Sequence, residues 1–337
     1  MFTSSSITGR RTPRGVGRIL TAAVAASVAL SLATTALAAP VGTLKQFRVP
    51  TANSEPRAIT NGSDGNRWFT EGTSFTNAPP KIARITPAGA ITEIPVDCNG
   101  CILSDIIQGP GNVLYFTSND PFLGGYNWQT GTFLAPISIP NNGAVAGELA
   151  VHGNDLWFTD FNNDSLWRYN ITSGAFTQFP VPEPSDVIVD NAGGVWFTAG
   201  LDFSVDRLEP ATGAVQAFPV PNGLSPRQIT IATDGQIWFT SRFVPQGVGR
   251  LDPTTGVVTT FATPSNPGPE GIDASPNGTV WFAQSTAGNI ANINNAGVIT
   301  ETKAVKGSQP LQIAVAPNGD PWFTMLTANK IGAFQLR

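Results

Sequence analysis

Pro226-Arg227-Gln228-Ile229-Thr230-Ile231-Ala232-Thr233-Asp234-Gly235-Gln236-Ile237-Trp238-Phe239-Thr240-Ser241 is the stretch that decides the fold. Two apolar runs flank Asp234-Gly235, and Asp-Gly between such runs marks a tight hairpin because glycine accepts the positive φ that the turn requires. Outward along the chain the same text repeats. Trp-Phe recurs at Trp68, Trp157, Trp196, Trp238, Trp281 and Trp322, and Tyr115-Phe116 fills the one gap. The seven positions are separated by 47, 42, 39, 42, 43 and 41 residues, a period that suits one blade of a β-propeller.

Within each copy four short apolar segments follow one another. The first opens on Pro-x-x-Ile, as at Pro56-Arg57-Ala58-Ile59, Pro226-Arg227-Gln228-Ile229, Pro269-Glu270-Gly271-Ile272 and Pro310-Leu311-Gln312-Ile313. The Trp-Phe strand comes second, a segment such as Lys81-Ile82-Ala83-Arg84-Ile85 third, and one such as Ile91-Thr92-Glu93-Ile94-Pro95-Val96 fourth. We call these strands a to d, counted outward from the axis. The chain stops after a third segment, Lys330-Ile331-Gly332-Ala333-Phe334, and the missing fourth sits at the other end: Leu44-Lys45-Gln46-Phe47-Arg48-Val49-Pro50 matches Phe176-Thr177-Gln178-Phe179-Pro180-Val181-Pro182. The reading is all-β: a seven-bladed propeller of four-stranded antiparallel blades, closed by the N-terminal strand, with no exposed sheet edge at the seam. Trp and Phe alternate along strand b with period two, so they face opposite sides of a blade and belong to the core rather than to a ligand platform.

Residues 1–38 read as an export signal. Arg10, Arg11, Arg14 and Arg18 precede an uncharged run from Ile19 to Ala39, and Ala36-Leu37-Ala38 has the small-residue pattern of a cleavage site. A single propeller domain then occupies 39–337, in a secreted, periplasmic or cell-envelope location, with no membrane span after cleavage and as a monomer. Without the four leader arginines, 15 basic residues face 23 acidic ones, a formal charge of −8 that argues against nucleic acid as a partner. Cys98 and Cys101 are the two cysteines; in an oxidising compartment they are expected to form a small disulfide, since no βαβ pattern surrounds them as a redox motif would require.

Propeller strands run alternately up and down, so the start of strand a and the end of strand b share one mouth of the central channel. Two rings of residues are expected there. The strand-a ring reads Arg57, Ser104, Gly147 (ambiguous in the shortened third blade), Ser185, Arg227, Glu270 and Leu311; the strand-b ring reads Glu71, Ser118, Asp160, Ala199, Ser241, Gln284 and Met325. Charge concentrates in blades one, five and six, with Asp160 from blade three; Arg227, Glu270, Asp160 and Gln284 are the candidate ligand-binding residues. Glu55, Arg57 and Glu71 are expected to converge, because strands a and b pair directly, either as an ion pair between Glu71 and Arg57 or as part of a ligand site. The one histidine, His152, falls in an a-to-b turn and therefore at the opposite mouth. With no Gly-x-Ser-x-Gly and no placed histidine, a nucleophilic hydrolase is disfavoured.

The recurring Pro-x-x-Ile, Gly-x-x-x-Trp-Phe-Thr and Lys-Ile-Gly segments, the last at Lys330-Ile331-Gly332, resemble the virginiamycin B lyase (streptogramin lyase) family over essentially the whole mature chain. The resemblance implies a seven-bladed propeller that uses Mg²⁺ to open the ester of cyclic streptogramin B compounds by β-elimination. It also implies a site of the form Glu-x-His at the start of strand a, with a second Glu fourteen residues after the His. Blade one carries Glu55-Pro56-Arg57 and then Glu71, so both carboxylates are in register as Mg²⁺ ligands while Arg57 stands where the family has histidine. A guanidinium stays protonated and cannot take the α-proton. Three readings follow: a streptogramin-lyase-like enzyme with Glu71 and Arg57 at its catalytic site, a non-catalytic propeller binding a small molecule, peptide, glycan or envelope component at one mouth, or a gluconolactonase-like metal enzyme suggested by Pro269-Glu270-Gly271-Ile272 with Asn277-Gly278.

Overall fold

Each Trp-Phe segment lies second in a four-stranded antiparallel sheet. The computed structural model describes residues 41–72, 79–98, 100–140, 144–264 and 267–337; the proposed export signal lies outside them. Blade one is Pro56–Asn61, Arg67–Glu71, Lys81–Ile85 and Ile91–Pro95. Six further sheets repeat this order, and in blade two the outermost place is shared by the short Thr132–Phe133 and Ile137–Ser138 segments. In the seventh, Gly42–Arg48 pairs with Lys330–Leu336 in an unbroken register from Gly42 opposite Leu336 to Arg48 opposite Lys330. The seven blades and the closing strand are as the repeat predicts.

The hairpin glycines adopt the turn geometry for which they were read. Gly65 and Gly235 have φ of 79° and 81°, which a residue with a Cβ adopts only under strain. Aromatic alternation fills the spaces between blades. Trp68 packs toward blade two against Leu103, Ile106 and Phe116, while Phe69 packs toward blade seven against Ala314, Trp322 and Ile331. Trp68 is 1% exposed and Phe69 fully buried, so each such side chain contributes roughly 2–3 kcal/mol of apolar burial. Glycine on strand c makes room for the Phe of strand b: a Cβ at Gly249 would lie 2.0 Å from the Phe239 ring.

The threonine after Trp-Phe joins blades to one another. Thr240 Oγ1 accepts the Gln228 amide of its own strand a at 3.4 Å and donates to the Glu270 carbonyl of the next blade at 2.8 Å. Thr198 bridges Asp186 and Arg227 in the same way, Thr117 bridges Asp105 and Gly147, and Thr324 bridges Gln312 and Arg57 across the closing seam. These carbonyls belong to the strand-a ring, so the stitch that holds the blades together also fixes the backbone from which the mouth residues project. A second set of rungs lies deeper. Asp105, Asp186 and Asp273 accept the amides of Leu149, Ile229 and Val315, each on the next blade. Burial pushes all three carboxyls up, Asp273 to about 6.

Candidate functional site

Strand a begins with a β-bulge. Register shifts between Pro56 and Ile59 in blade one, and at the same place in blades two, six and seven. The extra residue breaks the period-two alternation, and the side chain at the bulge turns into the channel mouth. A cavity of about 340 Å³ is therefore lined by strand-a ring residues: Arg57, Ser104, Arg227, Glu270 and Leu311.

The strand-b ring does not share it. Glu71, Ser118, Asp160, Ala199, Ser241, Gln284 and Met325 are all fully buried. They continue the alternation of the Phe two residues earlier and so point between blades rather than into the mouth. Asp160 and Gln284, expected at the mouth, therefore lie outside the lining of this cavity. The Asp160 carboxylate accepts Asn163 Nδ2 at 3.0 Å and the Trp167 indole at 3.3 Å, which ties down the loop leaving strand b; Gln284 Nε2 donates to Glu301 at 2.9 Å.

Glu270 anchors the charged part of the mouth. It is 2% exposed, and one oxygen lies 2.9 Å from Arg227 Nε while the other lies 2.5 Å from Arg242 Nη1. Arg227 comes from the start of strand a of blade five, and Arg242 from the loop that follows strand b of the same blade. Arg57 stands on another wall, its Nη2 3.6 Å from Glu55 and its Nε donating to the Gly72 carbonyl at 3.1 Å. Glu148 forms the floor, where the mouth narrows into an inner channel of about 170 Å³, and its carboxylate accepts Gln228 Nε2 at 3.3 Å. Burial pushes the Glu148 carboxyl up; Arg227 and Gln228 pull against that shift, and the Glu270 charge adds to it. Glu148 and Arg242 were not among the sequence candidates. The ambiguous third-blade alignment placed Gly147 one residue short of Glu148, and Arg242 lies one residue past the strand-b ring.

Blade one does not bring Glu55, Arg57 and Glu71 together as expected. Glu71 faces blade seven beneath Ser54 and lies 3.7 Å from Lys81 Nζ, with which its strand pairs; Arg57 holds Glu55 instead. The residue before the strand-a proline takes a left-handed turn, with φ of 53° at Glu55 and 47° at Gln309, and this sends Glu55 toward the Arg57 side. Burial and then the neighbouring Glu93 charge push Glu71 up to about 8, against the pull of Lys81 and Ser54. Glu93 is itself held low: burial raises it, but the Thr51 amide at 2.9 Å, the Thr51 hydroxyl at 2.8 Å and Lys81 at 3.5 Å outweigh that. Burial thus favours the protonated form of Glu71, while the Thr51 and Lys81 contacts favour the carboxylate form of Glu93. Glu55 is engaged by the Arg57 guanidinium and Glu71 by the Lys81 ammonium, so each carboxylate of the expected Mg²⁺ pair already faces a cation. Among the described residues no group of three His, Cys, Asp or Glu is clustered as a metal site requires.

His152 ends the Leu149–His152 strand, exposed, at the mouth opposite Glu148. Cys98 and Cys101 are joined as a disulfide, with Cα atoms 5.5 Å apart, and the pair packs into the apolar cluster between blades one and two. No helix among the described residues is long and apolar enough to cross a membrane.

Fold and cavity together define a propeller with a guanidinium-lined cavity at one mouth of its channel. The chain belongs to the virginiamycin B lyase family, which it matches over residues 36–199 and 136–337. It is similar to a streptogramin B lyase structure at 26% identity, with 88% of this chain covering 98% of that one and a TM-score of 0.79. A catalytically inactive histidine-to-alanine variant of virginiamycin B lyase from Staphylococcus aureus, solved with quinupristin, is 24% identical, with 88% of this chain covering all of that one and a TM-score of 0.79. Extracellular domains of Bacteroides thetaiotaomicron two-component systems share the propeller fold at 12–15% identity. A search of curated proteins found no match.

Proposed function

We propose that this chain is an exported ligand-binding propeller that works at its arginine-lined mouth, and that the histidine-dependent ring opening of its family is not its reaction. One observation carries this reading. The single histidine stands on the face opposite the pocket, and the pocket's titratable groups are Arg57, Arg227, Arg242, Glu148 and Glu270. β-Elimination requires a base that is deprotonated near neutral pH and a partner for the developing enolate. The three guanidinium groups serve the second role and cannot serve the first.

A second reading is favoured by Glu148. A carboxylate raised by burial is a stronger base than a solvated one, and Glu148 sits beside Arg227 at the pocket floor. On that reading it takes the α-proton, the electron pair closes the new double bond, and the ester oxygen leaves. The test is mass spectrometry of a streptogramin B incubated with the protein, with Mg²⁺ and with EDTA. We expect the compound to remain cyclic. Linearisation without mass gain that persists in EDTA and disappears in Glu148→Gln would replace the first reading with the second; linearisation lost in EDTA would return the family's metal-assisted reaction.

A further inference from the structure

Two guanidinium groups converge on one carboxylate at the mouth. Each of Arg227 and Arg242 reaches Glu270 through one nitrogen, and their side chains remain 41% and 43% exposed. Arginine has five N–H donors in a planar fork, so the contact with Glu270 uses only part of the donor set of each of these two cavity-lining side chains. Charge counts the same way. Glu270 balances one of the two, and Arg57 across the cavity is matched by Glu55. At the floor, burial raises the Glu148 carboxyl while Arg227 and Gln228 pull against that shift. Arg227 and Arg242 thus bring two guanidinium groups to the one carboxylate they share.

The bracing matters as much as the charge. Glu270 is nearly inaccessible, and its own backbone carbonyl is held by Thr240, so the two guanidinium groups are fixed before a ligand arrives. A pre-ordered fork suits a planar, bidentate partner. Around it the wall is neutral and polar at Ser104 and Gln312, with no aromatic ring lining the cavity among the described residues. Immediately after Arg242, Phe243 and Val244 stand 61% and 83% exposed on the loop that carries it. Leu311 and Leu326 line the cavity itself, so apolar surface for the remainder of a ligand lies beside the two arginines.

We infer that Arg227 and Arg242 form a carboxylate-binding subsite, and that its ligand is a small organic acid bearing an apolar group, as at the C-terminal residue of a peptide. This rests on the mouth being the working site.

The test compares N-acetylphenylalanine with N-acetylphenylalaninamide, which differ only in the carboxylate, by titration of backbone amide NMR signals. The acid is expected to shift the amides of Ser104 and Gln312 and to bind about tenfold or more tighter than the amide, the value of one charge-assisted contact. The preference should vanish in Arg242→Met and return in part in Arg242→Lys, which keeps the charge but not the fork. Thermal melting verifies that both variants fold; Arg227 still neutralises Glu270 in each. Raised salt should weaken the acid and leave the amide unaffected. Equal binding of acid and amide at these signals would overturn the carboxylate assignment while the mouth reading stands. Inorganic phosphate displacing the acid at equal concentration would overturn it in favour of a general oxyanion site. If neither compound moves any mouth signal while shifts appear elsewhere, both the subsite and the mouth reading fall.

Discussion

Glu71 is a carboxyl group that holds its proton at neutral pH inside blade one. Its ordinary value is 4.5 and burial takes it to about 8, so between those limits the folded chain binds a proton that the unfolded chain has released. Stability from this group is therefore full below about pH 4.5 and is lost as pH rises through about 8. Glutamine mimics the protonated acid. Urea denaturation at about pH 5 and about pH 8.5 should show the wild-type protein losing on the order of 4 kcal/mol more than Glu71→Gln over that interval. Parallel losses would refute the buried-proton account, because other raised carboxyls such as Asp273 act equally in both proteins. The same residue shows where sequence reading of the site stops. Position fourteen after Arg57 is legible as a number, but the bulge at Pro56 decides which way each side chain turns, and a bulge leaves no periodic trace. Residues of the strand-a ring were legible because Pro-x-x-Ile fixes their place. Glu148 lacked that motif, and Arg242 lies in a loop, beyond the reach of strand alternation.

At the level of the element, the Trp-Phe-Thr strand accounts for all three of its residues. Trp fills one inter-blade space, Phe the other, and Thr stitches strand a to the next blade. Thr240 is the stitch nearest the pocket, since it holds the amide of Gln228 and the carbonyl of Glu270. Valine at 240 keeps the shape and removes both hydrogen bonds, leaving a buried amide and a buried carbonyl unmatched. We expect Thr240→Val to cost about 1–3 kcal/mol in chemical denaturation. It should also weaken N-acetylphenylalanine binding, because the brace behind both arginines is loosened. A change below about 0.5 kcal/mol, the range of a neutral surface substitution, would show that the stitch is incidental. Blade six carries Ala283 at this position, so the junction of blades six and seven lacks the stitch and is held by the Asp273 bond to the Val315 amide together with Trp281 packed on Ile313 and Phe323.

For the whole molecule, the architecture was legible because a repeat multiplies weak local signals: one Trp-Phe hairpin is ambiguous, whereas seven at a common period define a ring. The closing strand was legible from the same logic, since a final blade without a fourth strand demands one from elsewhere. Its contribution can be measured. Gly42–Arg48 covers the outer edge of Lys330–Leu336, and Phe47 stacks on Trp322 at 5.7 Å with ring planes 9° apart. Phe47 also covers the cluster shared by blades one and seven, so the strand seals the seam where the two ends of the repeat meet. Removing residues through Arg48 exposes the unpaired amides and carbonyls of Lys330–Leu336 beside half-covered apolar side chains, which is the edge on which sheets aggregate. The truncated protein is expected to form oligomers in size-exclusion chromatography and to melt at a markedly lower temperature. A synthetic peptide of Gly42–Arg48 added in trans should restore monomer and melting temperature together, since strand addition supplies the same backbone pairing. A truncated protein that stays monomeric with an unchanged melting temperature would mean that the packing of blade one on blade seven, through Phe69, Ala314 and Trp322, closes the ring by itself.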